Sequence, residues 1–118
     1  MAPSNQVHGF DLENVLDETG LDREEYLEIY DLFKESFTEL MQELEASVAN
    51  DETAMVKQAA HTIKGVCSNI GFMDIAMIAQ KIQEDPDNMK LAAESIPEMR
   101  ALYAKLDIEI QAIAGTPA

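Results

Sequence analysis

The sequence predicts an all-α protein: an antiparallel up-and-down four-helix bundle with a short extra helix at its N-terminus. Three observations lead to this prediction. Glycine and proline are scarce, at 5 and 4 of 118 residues, whereas good helix formers such as Glu, Ala, Leu and Met are abundant. Apolar residues recur at alternating steps of three and four along several stretches of the chain. Short connections join these stretches, which is typical of a bundle whose helices pack against their sequence neighbours.

The first predicted element is a short helix over residues 10–19, which follows a loose tail and ends at Gly20. Its inward-facing side chains would be Phe10, Val15 and Leu16.

The second predicted helix starts after the N-cap candidate Asp22 and ends near Asn50. Its apolar side chains have the spacing of a bundle seam: Tyr30, Phe33, Phe37, Leu40 and Leu44. Acidic side chains occupy the far side of the same helix: Glu24, Glu28, Asp31, Glu35 and Glu39. We expect a solvated acidic face here, which could also contribute to partner selection through its charge.

The third helix is expected over residues 52–70, with residues 50–52 as its capping segment and Gly71 as its stop. The fourth covers residues 73–84, and a turn follows at residues 85–88. The core-facing side chains would be Val56, Ala60, Ile63, Cys67 and Ile70 in the third helix, and Ile75, Ile78, Ala79 and Ile82 in the fourth.

The last helical stretch runs over residues 89–114 and contains Pro97, which must kink or interrupt it. Ser95 followed by Glu98 has the pattern of a capping box, so a restart of the helix at this point is one possibility. The seam of this stretch would be Met99, Tyr103, Leu106, Ile110 and Ile113.

Composition and charge restrict the class of protein. The length fits one domain, which we divide into a tail and short helix (1–20), a bundle (21–114) and a C-terminal tail (115–118). A formal net charge of −15 disfavours nucleic acid and membrane surfaces as partners and favours a monomer. No apolar run approaches the ~20 residues of a transmembrane helix, and the N-terminus lacks the pattern of a signal peptide. A single cysteine cannot form an internal disulfide, so we expect a cytoplasmic protein.

The acidic residues are unevenly distributed along the chain. The 21 residues from Thr53 to Met73 contain no Asp or Glu, although an even distribution of the 23 acidic residues would place about four there. The segment nevertheless retains Lys57, His61 and Lys64. A more deeply buried helix would lose charges of both signs, so burial alone does not explain the two lysines.

A helical wheel places the polar residues of this segment on one ridge. His61, Lys64, Gly65 and Ser68 stand at intervals of three, four and seven residues from the histidine, with Lys57 one turn earlier. The ridge points away from the apolar stripe, which predicts that the His61 side chain is exposed.

These residue types suit the transfer of an anionic group. A neutral imidazole is a nucleophile, and its ordinary pKa of about 6.5 keeps it available at physiological pH. A phosphoryl group on His61 would need nearby cations such as Lys57 and Lys64, each worth about 1 kcal/mol in water and up to about 4 near a protein surface at ~4 Å. The missing side chain of Gly65 would clear space for another protein, and Ser68 can donate a hydrogen bond. Ala54 and Gly65 are the wheel neighbours that we expect in the docking patch.

The segment resembles the HxxKG…G signature of histidine-containing phosphotransfer (Hpt) domains, with His61, Lys64 and Gly65 followed by Ser68 and Gly71. The helix order also fits, over nearly the whole chain. So do three small neighbouring residues: Ala60, Ala76 and Ala79.

The resemblance implies a phosphorelay carrier. In this family the histidine accepts a phosphoryl group from a receiver-domain aspartate and passes it to another receiver. The resemblance therefore implies that His61 is phosphorylated, that Lys64 is the phosphate-side cation and that Gly65 is the clearance position. Response-regulator receiver domains would be the partners, with a hybrid histidine kinase as a further candidate. Mg²⁺ would belong to the receiver, and this chain would bind no cofactor.

Other interpretations stay open beside this one. The bundle could bind a receiver or kinase domain through the same ridge without being phosphorylated, or it could be part of a larger kinase, although the initial Met favours a free-standing protein. No Walker or GxGxxG pattern is present, so we expect a carrier without kinase activity. We expect no metal site, a solvated His8 and a Cys67 that fills the core.

Overall fold

The computed structural model describes residues 6–7 and 10–114 of the chain, and the side chains of residues 12–113. This part of the chain forms a helical bundle, as the sequence predicts. Five helices follow one another: α1 (Leu12–Thr19), α2 (Arg23–Ala49), α3 (Thr53–Ile70), α4 (Met73–Glu84) and α5 (Met89–Ala114). The predicted bounds of the last four helices agree with these to within about one residue.

The N-terminal segment differs from the prediction. Two short strands, β1 (Gln6–Val7) and β2 (Phe10–Asp11), pair in antiparallel orientation. The predicted tail therefore contains a strand, and the first helix begins at Leu12 rather than at Phe10, because the paired backbone of β2 is extended and cannot be helical. The inward orientation predicted for the Phe10 side chain lies outside the described residues. Val15 is buried and Leu16 packs, half-buried, against the core, as predicted.

The core lies between α2, α3, α4 and α5, and the predicted seams supply most of it. All five predicted core residues of α3 are buried. In α2, Leu40 is only half-buried and the neighbouring Met41 takes the buried position. Ile78, Tyr103 and Ile113 are likewise partly buried at the edge of the core. The remaining predicted seam residues are buried: Tyr30, Phe33, Phe37, Leu44, Ile75, Ala79, Ile82, Met99, Leu106 and Ile110.

Gly71 ends α3 as predicted, and its neighbours fix that end in place. The residue has a φ of +88°, in the left-handed region that glycine adopts without strain. The amide of Phe72 donates to the carbonyl of Cys67 at 2.8 Å. The buried Tyr26 hydroxyl of α2 donates to the carbonyl of Ile70, also at 2.8 Å. Both bonds satisfy carbonyls at the end of α3. The Tyr26 bond also ties this end of α3 to α2.

Two predicted capping features are wrong. Glu52 precedes α3 but its side chain accepts no hydrogen bond from the first turn; the loop closes through backbone bonds instead, including one from the Glu52 amide to the Ser47 carbonyl at 2.9 Å. Ser95 does not start a new helix, because its hydroxyl donates to the carbonyl of Leu91 in the preceding turn at 2.7 Å. The α5 helix runs through Pro97 without the restart that the capping-box pattern offered.

Candidate functional site

The polar ridge predicted on α3 lies on the outer side of that helix. Opposite it, the apolar stripe of α3 is almost fully inaccessible, with exposures between 0% and 2%. An amphipathic helix that buries one stripe so completely must present the opposite stripe to solvent. His61, Gly65, Lys57 and Ala54 are exposed, and Lys64 and Ser68 are half-buried. We refer to these six residues as the α3 ridge.

Gly65 stands in open space on the α3 ridge. No described heavy atom beyond its own stretch of helix lies within 4 Å of the point that a Cβ atom at this position would occupy. Its φ is not in the left-handed region, so the backbone does not require glycine here either. Neither packing nor conformation explains this glycine, and its visible effect is a low, open surface one turn from His61.

Helix α4 places the Gln83 side chain against His61. The amide Nε2 of Gln83 lies 3.0 Å from the imidazole Nδ1, within hydrogen-bonding distance. This contact engages one ring nitrogen and leaves Nε2 of His61 without a bond to Gln83. Gln83 is not among the residues that the sequence predicts for the site, because it lies 22 positions from the histidine and only the packing of α4 on α3 brings the two together.

The Gln83 amide is incompletely satisfied in this arrangement. Its Oε1 atom is buried and has no hydrogen-bond partner within the described part of the chain. A buried acceptor without a partner costs about 1–3 kcal/mol. Rotation of the amide by 180° would exchange the oxygen and the nitrogen, so either atom can face the imidazole.

The two lysines of the α3 ridge are available to an anion. Neither Lys57 nor Lys64 forms an ion pair with any described residue. Helix α4, which supplies Gln83, carries two acidic residues, Asp74 in its first turn and Glu84 at its C-terminal end. The Glu84 carboxylate accepts a hydrogen bond from the Gln80 amide at 2.9 Å. The acid-free segment of the sequence thus forms a helix without carboxylates, packed beside a helix that carries two.

Other reactive side chains do not extend the site. Cys67 is buried in the core, and burial raises the pKa of its thiol to about 12, so it is a packing residue as predicted. Among the described residues, no group of three or more His, Cys, Asp and Glu side chains could hold a metal ion. His8 lies outside the described residues.

The comparison with protein-family models decides the family. The model of the Hpt domain matches residues 28–114, which is most of the chain and includes the whole α3 ridge and Gln83. The chain belongs to the Hpt domain family. Hpt domains act in phosphotransfer in two-component signalling, as carriers of phosphoryl groups rather than as enzymes, and they interact with receiver domains and kinases.

No curated protein and no solved structure matches the chain. Within the described residues of this Hpt domain, no helix is both long enough and apolar enough to span a membrane.

Proposed function

We propose that this Hpt domain is a phosphorelay carrier that accepts a phosphoryl group on His61 from a receiver-domain aspartate and passes it to another receiver. The exposed imidazole at the centre of the α3 ridge is the observation that supports this proposal. Open space at Gly65 would admit the partner, and the ammonium group of Lys64 would face the incoming phosphoryl group, with Lys57 one turn from His61 on the other side. Ser68 and Ala54 would border the contact.

The transfer would be an in-line displacement at phosphorus. A lone pair of the imidazole forms the N–P bond while the P–O bond of the aspartyl phosphate breaks, and the electron pair of that bond leaves on the aspartate carboxylate. The proton on the other ring nitrogen stays in place, so the product is an N-phosphorylated imidazolium. Lys64 would offset charge on the phosphoryl oxygens. Mg²⁺ would be held by the receiver, and this chain would contribute no cofactor.

Gln83 would decide which nitrogen attacks. If the amide is rotated by 180° so that Oε1 accepts from Nδ1–H, the amide nitrogen takes the buried position and Nε2 of His61 carries the free lone pair. Only a ring nitrogen with a free lone pair can attack phosphorus, and Nε2 is the nitrogen that Gln83 does not contact, so we propose Nε2 as the nucleophile and Gln83 as a positioning residue. Loss of one such hydrogen bond is worth roughly 1.4 kcal/mol, or about tenfold in rate.

The nitrogen chemical shifts of the imidazole test this assignment. In the wild-type protein above pH 8, ¹⁵N spectra should show His61 mainly as the Nδ1–H tautomer. In Gln83→Leu, the Nε2–H tautomer should gain population, and transfer should slow by about tenfold. A wild-type imidazole protonated on Nε2 would rule out the proposed orientation.

Transfer from a phosphorylated receiver tests the function itself. A purified receiver domain, labelled on its aspartate with [³²P]acetyl phosphate, is mixed with the protein, and acid-labile, base-stable label is sought on this chain. We expect His61→Gln to abolish the label and His8→Gln, which removes the other histidine, to retain it. Label that persists in His61→Gln would refute the assignment. Binding of the receiver without label would favour the alternative in which the bundle binds a receiver without being phosphorylated.

We propose that α2–α5 form an antiparallel up-and-down four-helix bundle. Contacts between the C-terminal half of α2 and the N-terminal half of α5, such as Arg100 with Glu45 at 3.0 Å, and between Tyr30 and Asp107 at the other ends, support this.

The charge of −15 and the single cysteine support a cytoplasmic monomer that binds neither nucleic acid nor membrane.

A further inference from the structure

A shallow apolar groove lies between α2 and α3. Its α2 side includes Ile29, Leu32 and Ser36, and its α3 side includes Val66 and Asn69. Ile29 and Leu32 are 43% and 67% exposed, which places them among the few large apolar side chains in the described residues that remain so accessible. We refer to this feature as the α2–α3 groove.

The groove is continuous with the α3 ridge. Asn69 lies one helical turn beyond Gly65 and eight residues beyond His61, which corresponds to about 12 Å along the helix axis. A transient protein interface covers about 600–800 Å² on each partner and so extends about 15 Å from its centre. A domain that docks with its aspartate over His61 at the centre of the interface would therefore also extend over the α2–α3 groove, which makes the receiver the candidate occupant.

Carboxylates border the groove on its solvent side. Glu28, Leu32, Glu35 and Glu39 are separated by four, three and four residues, so they form one stripe along α2, and all four are exposed. None of the three glutamates forms an ion pair within the described part of the chain. The nearest cation of the helix, Lys34, is directed towards Asp107 of α5 at 3.9 Å. We refer to Glu28, Glu35 and Glu39 as the α2 acidic stripe.

We propose that the α2–α3 groove and the α2 acidic stripe together select the receiver. The selected receiver would place an apolar side chain in the groove and lysine or arginine side chains against the stripe, beside its phosphorylated aspartate. The inference rests on the proposed function, because the phosphate acceptor His61 defines where the receiver lies. Complementary charge of this kind accelerates association by about 10- to 1,000-fold and loses its effect as salt is added.

Charge reversal of the stripe tests the electrostatic part. The triple variant Glu28→Lys, Glu35→Lys and Glu39→Lys is compared with a triple variant of α5 that changes the net charge equally: Glu94→Lys, Glu98→Lys and Glu109→Lys. At 50 mM salt, kcat/KM for transfer from the receiver that labels the wild type fastest should fall at least about tenfold in the stripe variant and less than about threefold in the α5 variant. At 500 mM salt the difference between the variants should shrink to less than about threefold.

Substitution of Leu32 tests the apolar part. Because its side chain is mostly exposed, Leu32→Ser should fold normally and should lower kcat/KM by about tenfold. Phosphoramidate, a small phosphodonor that needs no docking, should label His61 in every variant at the wild-type rate.

The outcomes separate the two proposals. Equal losses in both triple variants would show an effect of net charge only and would overturn the role of the stripe. An unchanged kcat/KM in Leu32→Ser would overturn the role of the groove. If no receiver labels the wild-type protein while phosphoramidate does, the proposed function fails and the occupant named here fails with it.

Discussion

Gly65 gives the sharpest separation between stability and function in this protein. It lies inside α3, with open space where a side chain would begin. Alanine in a helix interior is about 1 kcal/mol more favourable than glycine. Gly65→Ala should therefore raise the free energy of unfolding by about that amount and the Tm by about 4 °C. Urea and thermal unfolding measure both quantities.

A longer side chain at the same position should block the partner. Gly65→Gln should also be more stable than the wild type, yet its kcat/KM for transfer from the receiver should fall by at least about tenfold, because the amide covers the surface beside His61. Ala104→Gln, at an exposed position of α5, controls for added surface bulk and should transfer normally. Labelling by phosphoramidate should stay within about twofold of the wild type in all three variants.

Two results would refute this reasoning. A Gly65→Gln variant that transfers at the wild-type rate would show that the partner does not need the space. A Gly65→Ala variant that is less stable than the wild type would show that the position is not open.

Three further predictions concern charge, the end of α3 and the buried tyrosines. Lys64→Ala should slow transfer by about tenfold with an unchanged circular dichroism spectrum, and an unchanged rate would remove its proposed role. Gly71→Ala should lower the free energy of unfolding in urea by about 2–4 kcal/mol, because φ is +88° and the new Cβ would collide with a Val15 methyl group. Val15→Ala in the same chain should restore part of the loss. Burial raises the pKa of the Tyr26 and Tyr30 hydroxyls, so the unfolded chain loses these protons at a lower pH than the folded protein does. The free energy of unfolding should therefore fall as the pH rises above about 10. Tyr26→Phe should make that fall shallower, and an unaltered slope would contradict this prediction.

The sequence predicted the long helices well because local signals determine them. The three-and-four spacing identified the buried stripe of α3, and Gly71 marked its end through the left-handed conformation that the structure contains there. Exposure of His61 followed from the same stripe, since a helix with one fully buried side presents the other to solvent. The family match confirms the resemblance to Hpt domains that the sequence indicates.

Contacts between distant segments could not be predicted in this way. The bond between Gln83 and His61 depends on the register of α4 against α3, which periodicity within one helix does not determine. The Tyr30 hydroxyl donates to the Asp107 carboxylate across 77 residues, and seam spacing predicts that Tyr30 is buried without naming its polar partner. Strand β2 was missed because two residues are too few to show an alternating pattern.

Capping patterns failed where another hydrogen bond was available. Ser95 and Glu98 have the spacing of a capping box, but the Ser95 hydroxyl bonds within its own helix. Asp22 has a similar sequence context and does form the box, since Glu25 accepts from the Asp22 amide at 3.0 Å and Asp22 accepts from the Glu25 amide at 2.8 Å. The difference is that the Ser95 hydroxyl can donate to a carbonyl of the preceding turn, whereas the Asp22 carboxylate can only accept and therefore bonds to the amide of its own first turn.

Passage of the phosphoryl group through this chain from one receiver to another tests the central claim most directly. The protein is labelled by a ³²P-labelled receiver, purified and offered to a second, unlabelled receiver, and the label on both proteins is followed over time. A carrier should lose acid-labile label from His61 as base-labile label appears on the aspartate of the second receiver, and His61→Gln should carry none. Label that stays on this chain until it hydrolyses, or that reaches the second receiver equally well through His61→Gln, would contradict the account.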